Sequence, residues 1–302
     1  MIQVHKMGAI DIGSNSVRCL VTNVIPTPEF THYKKASMTR LPVRLGQDVF
    51  SAGFISEVTG ERLVTALKAY KHIMEVHGVT HFRACATSAM REASNSSFWR
   101  DRIEQETGIS VDIIDGQEEA RLVFSAKMFD KITPAESHFL FVDVGGGSTE
   151  LTLFKDGAPV DSISLPLGTV RMMAQGVSEE VWIAMDEWLD RKRAQVEGDI
   201  ATIGSGGNIN KIYKLSGRMG GEPLSLVYLE RQAKYLAGFS PEEMMVQLGL
   251  NIDRADVIVS AMGIYIRAMK KVHSRWMYVP KIGVSDGIVR ELYRNSVRPF
   301  YE

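Results

Sequence analysis

Cysteine is scarce in this chain: Cys19 and Cys85 are the two among 302 residues. That excludes a disulfide framework and a cysteine-rich zinc site, and the apolar stretches around both predict buried, reduced, inert thiols. The seven histidines show no HExxH or paired-ligand spacing, so zinc chemistry finds no support. Long apolar runs are missing too. Nothing approaches the ~18 residues of a membrane span, and residues 1–6 lack the apolar core of a secretory signal. The expectation is a soluble, cytoplasmic protein with no membrane partner. Neither sign of charge dominates, with Lys+Arg 35 against Asp+Glu 36, which argues against a nucleic-acid partner. The P-loop pattern GxxxxGK[ST] is absent.

What is present is an ordinary globular composition, 45% hydrophobic and 24% charged, and a length suited to two domains at about 100–200 residues each. Periodicity predicts strands at 7–12, 17–21, 30–38, 81–87 and 111–114, and helices at 57–76, 97–106 and 117–128. The polar stretch 131–137, with its proline, predicts a domain boundary. The domains expected are therefore 1–130 and 131–302, with a terminal helix, 286–302, packing back on the first. Further strands are expected at 139–144, 149–154, 160–165, 200–203 and 276–279. Helices are expected from Ser178, from a capping box at Ser240-Pro241, over 255–272, and from 283 onward. The basic run 191–193 reads as a solvated helix face, and Lys270-Lys271 with His273 as a helix end.

The 26 glycines cluster in a few turns. Residues 10–17, containing Asp11-Ile12-Gly13-Ser14-Asn15-Ser16, align with residues 142–149, containing Asp143-Val144-Gly145-Gly146-Gly147-Ser148. This internal repeat predicts two similar halves presenting two Gly/Ser turns to one cleft. Small residues let backbone N–H groups converge on an oxyanion, so both turns are candidate phosphate cradles. Gly204-Ser205-Gly206-Gly207, after another apolar strand, is a third. It matches a dinucleotide fingerprint in two glycines only, because Ile209 occupies the last small position.

Asp11 and Asp143 end their strands at the mouths of the turns, where a carboxylate can hold Mg²⁺ beside a phosphate. Seven residues further on, the copies diverge into Arg18, a candidate guanidinium clamp, and Glu150, a candidate ligand for metal or water. Arg91 is a candidate phosphate contact. Glu118 and Glu119 open a helix, where either can serve the helix dipole or deprotonate a water.

These motifs, together with Arg91-Glu92-Ala93, Glu118-Glu119-Ala120-Arg121 and Ser285-Asp286-Gly287, resemble the exopolyphosphatase/guanosine pentaphosphate phosphohydrolase (Ppx/GppA) family of the actin, Hsp70 and sugar-kinase superfamily. The resemblance runs in order along almost the whole chain. It implies an α/β fold of two ribonuclease-H-like (actin-like ATPase) domains flanking a central cleft. It further implies a homodimer and hydrolysis of the terminal phosphate of polyphosphate or the 5′-γ-phosphate of pppGpp. By the family pattern Glu119 is the base, and Asp143 and Glu150, with Asp11, hold Mg²⁺ or Mn²⁺ and the attacking water. Arg18, Arg91 and the turns 13–16 and 145–148 hold phosphate, while residues 204–207 meet a nucleotide or distal substrate. Longer members carry a further helical region. Its absence here, with the near-neutral charge, favours short polyphosphate or a nucleotide. A kinase or ATPase of the same superfamily and a non-catalytic sensor are the competing expectations.

Overall fold

A strand covered on both faces reads as an unbroken apolar run, whereas one at a sheet edge alternates or turns polar. In the computed structural model, which describes residues 3–126 and 138–297, β1 (His5–Ile12) is buried from Met7 onward. It is followed by β2 (Val17–Pro26), the largely exposed β3 (Thr31–Leu41), α1 (Leu45–Ala52), α2 (Glu57–His77), β4 (His81–Ala86), α3 (Ser88–Glu92), α4 (Ser96–Thr107), β5 (Val111–Ile113) and α5 (Gly116–Ser125). Next come β6 (His138–Val144), β7 (Thr149–Lys155), β8 (Ala158–Leu165), α6 (Thr169–Gln175), α7 (Glu179–Ala194), β9 (Ile200–Ser205) and α8 (Gly207–Leu215). The chain ends through β10 (Leu224–Ser225), α9 (Leu226–Leu236), α10 (Pro241–Leu248), α11 (Ile252–Ala255), α12 (Ile258–Lys271), β11 (Trp276–Tyr278) and α13 (Val284–Ser296).

The chain divides into two units. Unit 1 holds described residues 3–126 and 282–297, and unit 2 holds 138–281. The sheet of unit 1 runs β3-β2-β1-β4-β5, with β1, β2 and β3 antiparallel and β4 and β5 parallel to β1. The sheet of unit 2 runs β8-β7-β6-β9-β11 with the same directions, and β10 adds an antiparallel edge. Each unit thus repeats the ribonuclease-H-like order 3-2-1-4-5. Inside unit 2, Val142, Leu151, Ile209, Tyr265 and Met269 belong to one buried cluster beneath the helices.

Helix α13 leaves unit 2 behind and packs on α5 and β1 of unit 1. The contact is backbone to backbone, since a Cβ on Gly287 would stand 1.8 Å from the Leu122 carbonyl oxygen. Cys19 and Cys85 are buried and free, and burial pushes their thiols up to about 11 and about 12. The capping box at Ser240 and Glu243 is present, with Pro241 opening α10.

Several segments differ from the sequence reading. The helix expected over 255–272 begins at Ile258 and runs to Lys271, after the short α11 ends at Ala255. Lys192 is not solvated: its ammonium pairs with Asp161 at 2.5 Å and lies over the Trp188 ring. The strand expected at 200–203 continues through Gly204 and Ser205, because β9 stays paired with β6 as far as Asp143. The expected boundary at 131–137 and the end of the helix over 117–128 fall outside the described residues. Among the described residues, no helix is long and apolar enough to cross a membrane.

Candidate active site

The two copies of the internal repeat fold as hairpins of identical register. Asp11 faces Arg18 and Ile12 faces Val17, while Asp143 faces Glu150 and Val144 faces Thr149. The Gly13 N–H donates to Ser16 O at 3.1 Å, and the Gly145 N–H to Ser148 O at 2.9 Å. None of Gly13, Gly145, Gly146 and Gly147 has a left-handed φ. Close approach, not backbone strain, accounts for the small residues here.

Each turn is buttressed by the start of a helix. In unit 1 the N–H groups of Arg44 and Gly46 donate to the carbonyls of Asn15 (3.1 Å) and Ser14 (2.8 Å). In unit 2 Thr169 donates to Gly145 O (3.1 Å), and both Val170 (2.8 Å) and Arg171 (3.0 Å) donate to Gly146 O. The Arg171 Nε–H adds a bond to Gly147 O at 2.8 Å. A Cβ on Gly168 would lie 2.3 Å from the Gly147 carbonyl carbon, so only glycine fits at this contact. In a trans peptide the C=O and N–H point in opposite directions. Tethering these carbonyls therefore turns the N–H groups of Asn15, Ser16, Gly146, Gly147 and Ser148 outward, as an anion site requires. The sequence reading missed Gly46, Gly168 and Arg171. The available signal was a second pair in the repeat, Leu45-Gly46 and Leu167-Gly168.

Unit 1 gathers its candidates at the carboxyl ends of β1, β4 and β5, where ligands of α/β sheets bind. Ser14 Oγ lies 2.9 Å from Ser88 Oγ. Arg18 pairs with Asp11 at 3.4 Å. Burial lifts the Asp11 carboxyl above the ordinary aspartate value, and the Arg18 guanidinium opposes the shift in part. Arg91 donates to Ile114 O at 2.7 Å, just before Asp115, whose carboxylate caps α5 by accepting from the Glu118 N–H. Arg91 thus ties α3 to the start of the helix that carries Glu119. Glu118 is held by Arg83 at 2.9 Å, and Arg121 approaches it at 3.6 Å. Glu119 is half-buried, with its Oε2 out of contact with solvent.

Unit 2 places Asp143 and Glu150 directly opposite each other, both buried. Ser164, next in the row on β8, donates to Glu150 Oε1 at 3.0 Å. The third Gly-rich segment is not a hairpin turn. Gly204 and Ser205 finish β9, Gly206 caps α8 and Gly207 begins it. Gly206 has φ 115°, and a Cβ there would stand 2.8 Å from Val144 O and 3.4 Å from Asp143 Oδ1. This segment therefore lies against Asp143. Ile209, which spoils the dinucleotide fingerprint, is fully buried and packs close to Gly204. Tyr265 donates its hydroxyl to Ser205 O, and burial, with the Asp143 charge second, lifts that phenol well above its usual range.

Among the described residues no group of three or more His, Cys, Asp or Glu side chains forms. Two hard carboxylates facing each other across neighbouring strands do suit Mg²⁺ or Mn²⁺, which fill their other positions with water and phosphate oxygens.

Comparison with known proteins bears on the family and the fold. The chain is 30% identical over 209 residues to exopolyphosphatase 1 of Mycobacterium tuberculosis, covering 66% of this chain and 58% of that protein. It therefore spans less than two thirds of the relative's length. An exopolyphosphatase from Cytophaga hutchinsonii has the same fold, with TM-score 0.79 and 25% identity over 94% of this chain and 96% of that one. So does the Aquifex aeolicus Ppx/GppA family member, with TM-score 0.76 and 24% identity over 97% of this chain and 99% of that one. Residues 31–295 match the model of the Ppx/GppA phosphatase family, and the chain belongs to that family.

Proposed function

We propose that the chain is a phosphohydrolase that removes the terminal phosphate from short inorganic polyphosphate or the 5′-γ-phosphate from pppGpp. The observation that carries this reading is the duplicated hairpin. The same Asp-turn geometry occurs twice, opposed by a guanidinium at Arg18 in one copy and by a carboxylate at Glu150 in the other. One copy suits phosphate oxygens and the other a divalent cation. Held by Asp143 and Glu150, Mg²⁺ or Mn²⁺ would neutralise charge on the phosphoryl group. The outward N–H groups of turns 13–16 and 145–148, with Arg18, meet the charge that develops on the phosphoryl oxygens. Arg91 joins Arg18 in holding phosphate, and residues 204–207 serve the more distant part of the substrate. Glu119 takes a proton from water as its oxygen bonds to the terminal phosphorus and the bridging P–O bond breaks. The grip of Arg83 and Arg121 on Glu118 supports assigning this role to its neighbour.

The test is phosphate release from short polyphosphate, long polyphosphate, pppGpp and ATP, with and without Mg²⁺ or Mn²⁺. Metal-dependent release from short polyphosphate or pppGpp is expected, and it should vanish on chelation. Phosphoryl transfer from ATP to an acceptor would replace this reading with a kinase. Tight binding without release would replace it with a sensor. Family membership also motivates a homodimer, which sedimentation would test.

A further inference from the structure

Arg171 takes no part in the chemistry proposed above, yet it is 7% exposed and grips the turn through both its main chain and its side chain. Its N–H holds Gly146 O and its Nε–H holds Gly147 O, two successive carbonyls fixed by one residue. The first two peptides of the turn are tethered by backbone N–H groups of the α6 start. The third, joining Gly147 to Ser148, is tethered by the Arg171 guanidinium.

The two hairpins differ here in an informative way. In unit 1 the turn is Gly-Ser-Asn-Ser, and backbone N–H groups of Arg44 and Gly46 at the α1 start hold its carbonyls. In unit 2 it is Gly-Gly-Gly-Ser. Three glycines in succession give the peptide planes much more freedom to rotate. A rotation of the Gly147–Ser148 peptide would swing the Ser148 N–H away from an anion and present a carbonyl in its place. The guanidinium suits the task of preventing this, because it stays charged, is planar and donates in a fixed direction. Its charge also polarises the peptide, strengthening the N–H on the opposite side.

We propose that Arg171 is a positioning residue, which locks the Gly147–Ser148 peptide so that the Ser148 N–H is preorganised as a phosphate donor. The proposal rests on reading 145–148 as a phosphate cradle.

The experiment compares wild type, Arg171→Met and Arg171→Lys. It measures kcat and KM on short polyphosphate with Mg²⁺, the ¹⁵N amide shift of Ser148 on adding inorganic phosphate, and thermal unfolding. Arg171→Met is expected to unfold cooperatively and lose about 10-fold or more in kcat, approaching the ~10²–10³-fold cost of removing an oxyanion donor outright. Its Ser148 response to phosphate should be weakened. Arg171→Lys, which keeps the charge without the rigid fork, should fall between the two. Wild-type kcat together with a wild-type Ser148 response in folded Arg171→Met would overturn the proposal. If Arg171→Met does not fold, Arg171→Lys decides: lowered kcat in a folded protein supports the role, and wild-type values on both readouts overturn it. If the wild type releases phosphate from no substrate, the hydrolase reading fails. The Ser148 response to phosphate, compared across the three proteins, still decides the role of Arg171.

Discussion

Glu118 and Glu119 are neighbours in the first turn of α5, and successive helical residues diverge by about 100°. That divergence sends Glu118 into an ion-pair group with Arg83 and Arg121, which Glu291 also joins. Glu119→Gln is expected to lower kcat by about 10²–10⁴-fold, the usual worth of a general base, with an unchanged unfolding midpoint. Glu118→Gln should leave kcat close to wild type. It should cost at most about 1 kcal/mol, because its ion pairs are partly hydrated. Steady-state kinetics and thermal melts on the two variants check both outcomes. Asp11 offers a second test, in pH. Burial raises its folded-state pKa above the ordinary aspartate value despite Arg18. For a raised value, the contribution to stability is complete below the ordinary value and is lost as pH rises through the raised one. Above that window the native state carries a buried carboxylate, so Asp11→Asn should melt above wild type at mildly alkaline pH. The gap should close as pH falls below the ordinary aspartate range. Arg18, 30% exposed in its side chain, is left to water in that variant. A melting difference independent of pH would sink the assignment.

Among the elements, those that sequence revealed best are the strands and long helices with room for a period. β1 and β6 are buried, mostly apolar runs, β7 brings Leu151, Leu153 and Phe154 to the core, and α2 has 21 residues over which its stripe repeats. The helices that buttress the turns were illegible for the same reason. α1 has 8 residues and α6 has 7, too few turns to display a face, and their role lies in backbone N–H groups, which sequence does not display. The candidate residues in the hairpins were visible because small and charged side chains stand out against apolar strands. Arg171 was not, since an arginine within the short apolar run Val170-Arg171-Met172-Met173 gives no sign of which carbonyls its guanidinium will hold. Close helix contacts are similarly hidden until a glycine is seen against its neighbour. Gly287→Ala must force α13 away from Leu122, three residues beyond Glu119 on α5. Overpacking of this kind costs about 1–3 kcal/mol, and contact with backbone places it toward the upper end. The melting temperature and kcat should fall together, because α5 carries both the contact and the proposed base. A variant that loses stability but retains full kcat would separate α13 from the site.

At the scale of the whole molecule, the duplication was legible from one eight-residue alignment, and the return of the terminal helix to the first domain was among the expectations. Unit 1 is discontinuous: the chain leaves it at Ala126 and returns at Ile282, with unit 2 formed from the sequence between. This arrangement makes the units unequal as folding problems. All strands of the unit 2 sheet lie within 138–281, so that fragment contains its own core. Unit 1 depends on a helix that begins 159 residues after α5 ends, Val284 against Ser125. From α13, Ile288, Val289 and Tyr293 are buried, and Leu122 and Val123 of α5 are buried as well. Burying a large apolar side chain is worth about 1.5–3 kcal/mol, so the three from α13 contribute roughly 5–9 kcal/mol. That rivals the ~5–15 kcal/mol by which a whole domain is stable. Residues 1–126 alone should therefore lack a cooperative thermal transition, whereas residues 138–281 should have one. Adding a peptide of residues 282–297 to the first fragment should restore its transition in a concentration-dependent way. Near-UV circular dichroism during melting reads all three cases. A cooperative transition in residues 1–126 without the peptide would show that α13 is a surface addition and not part of the unit 1 core.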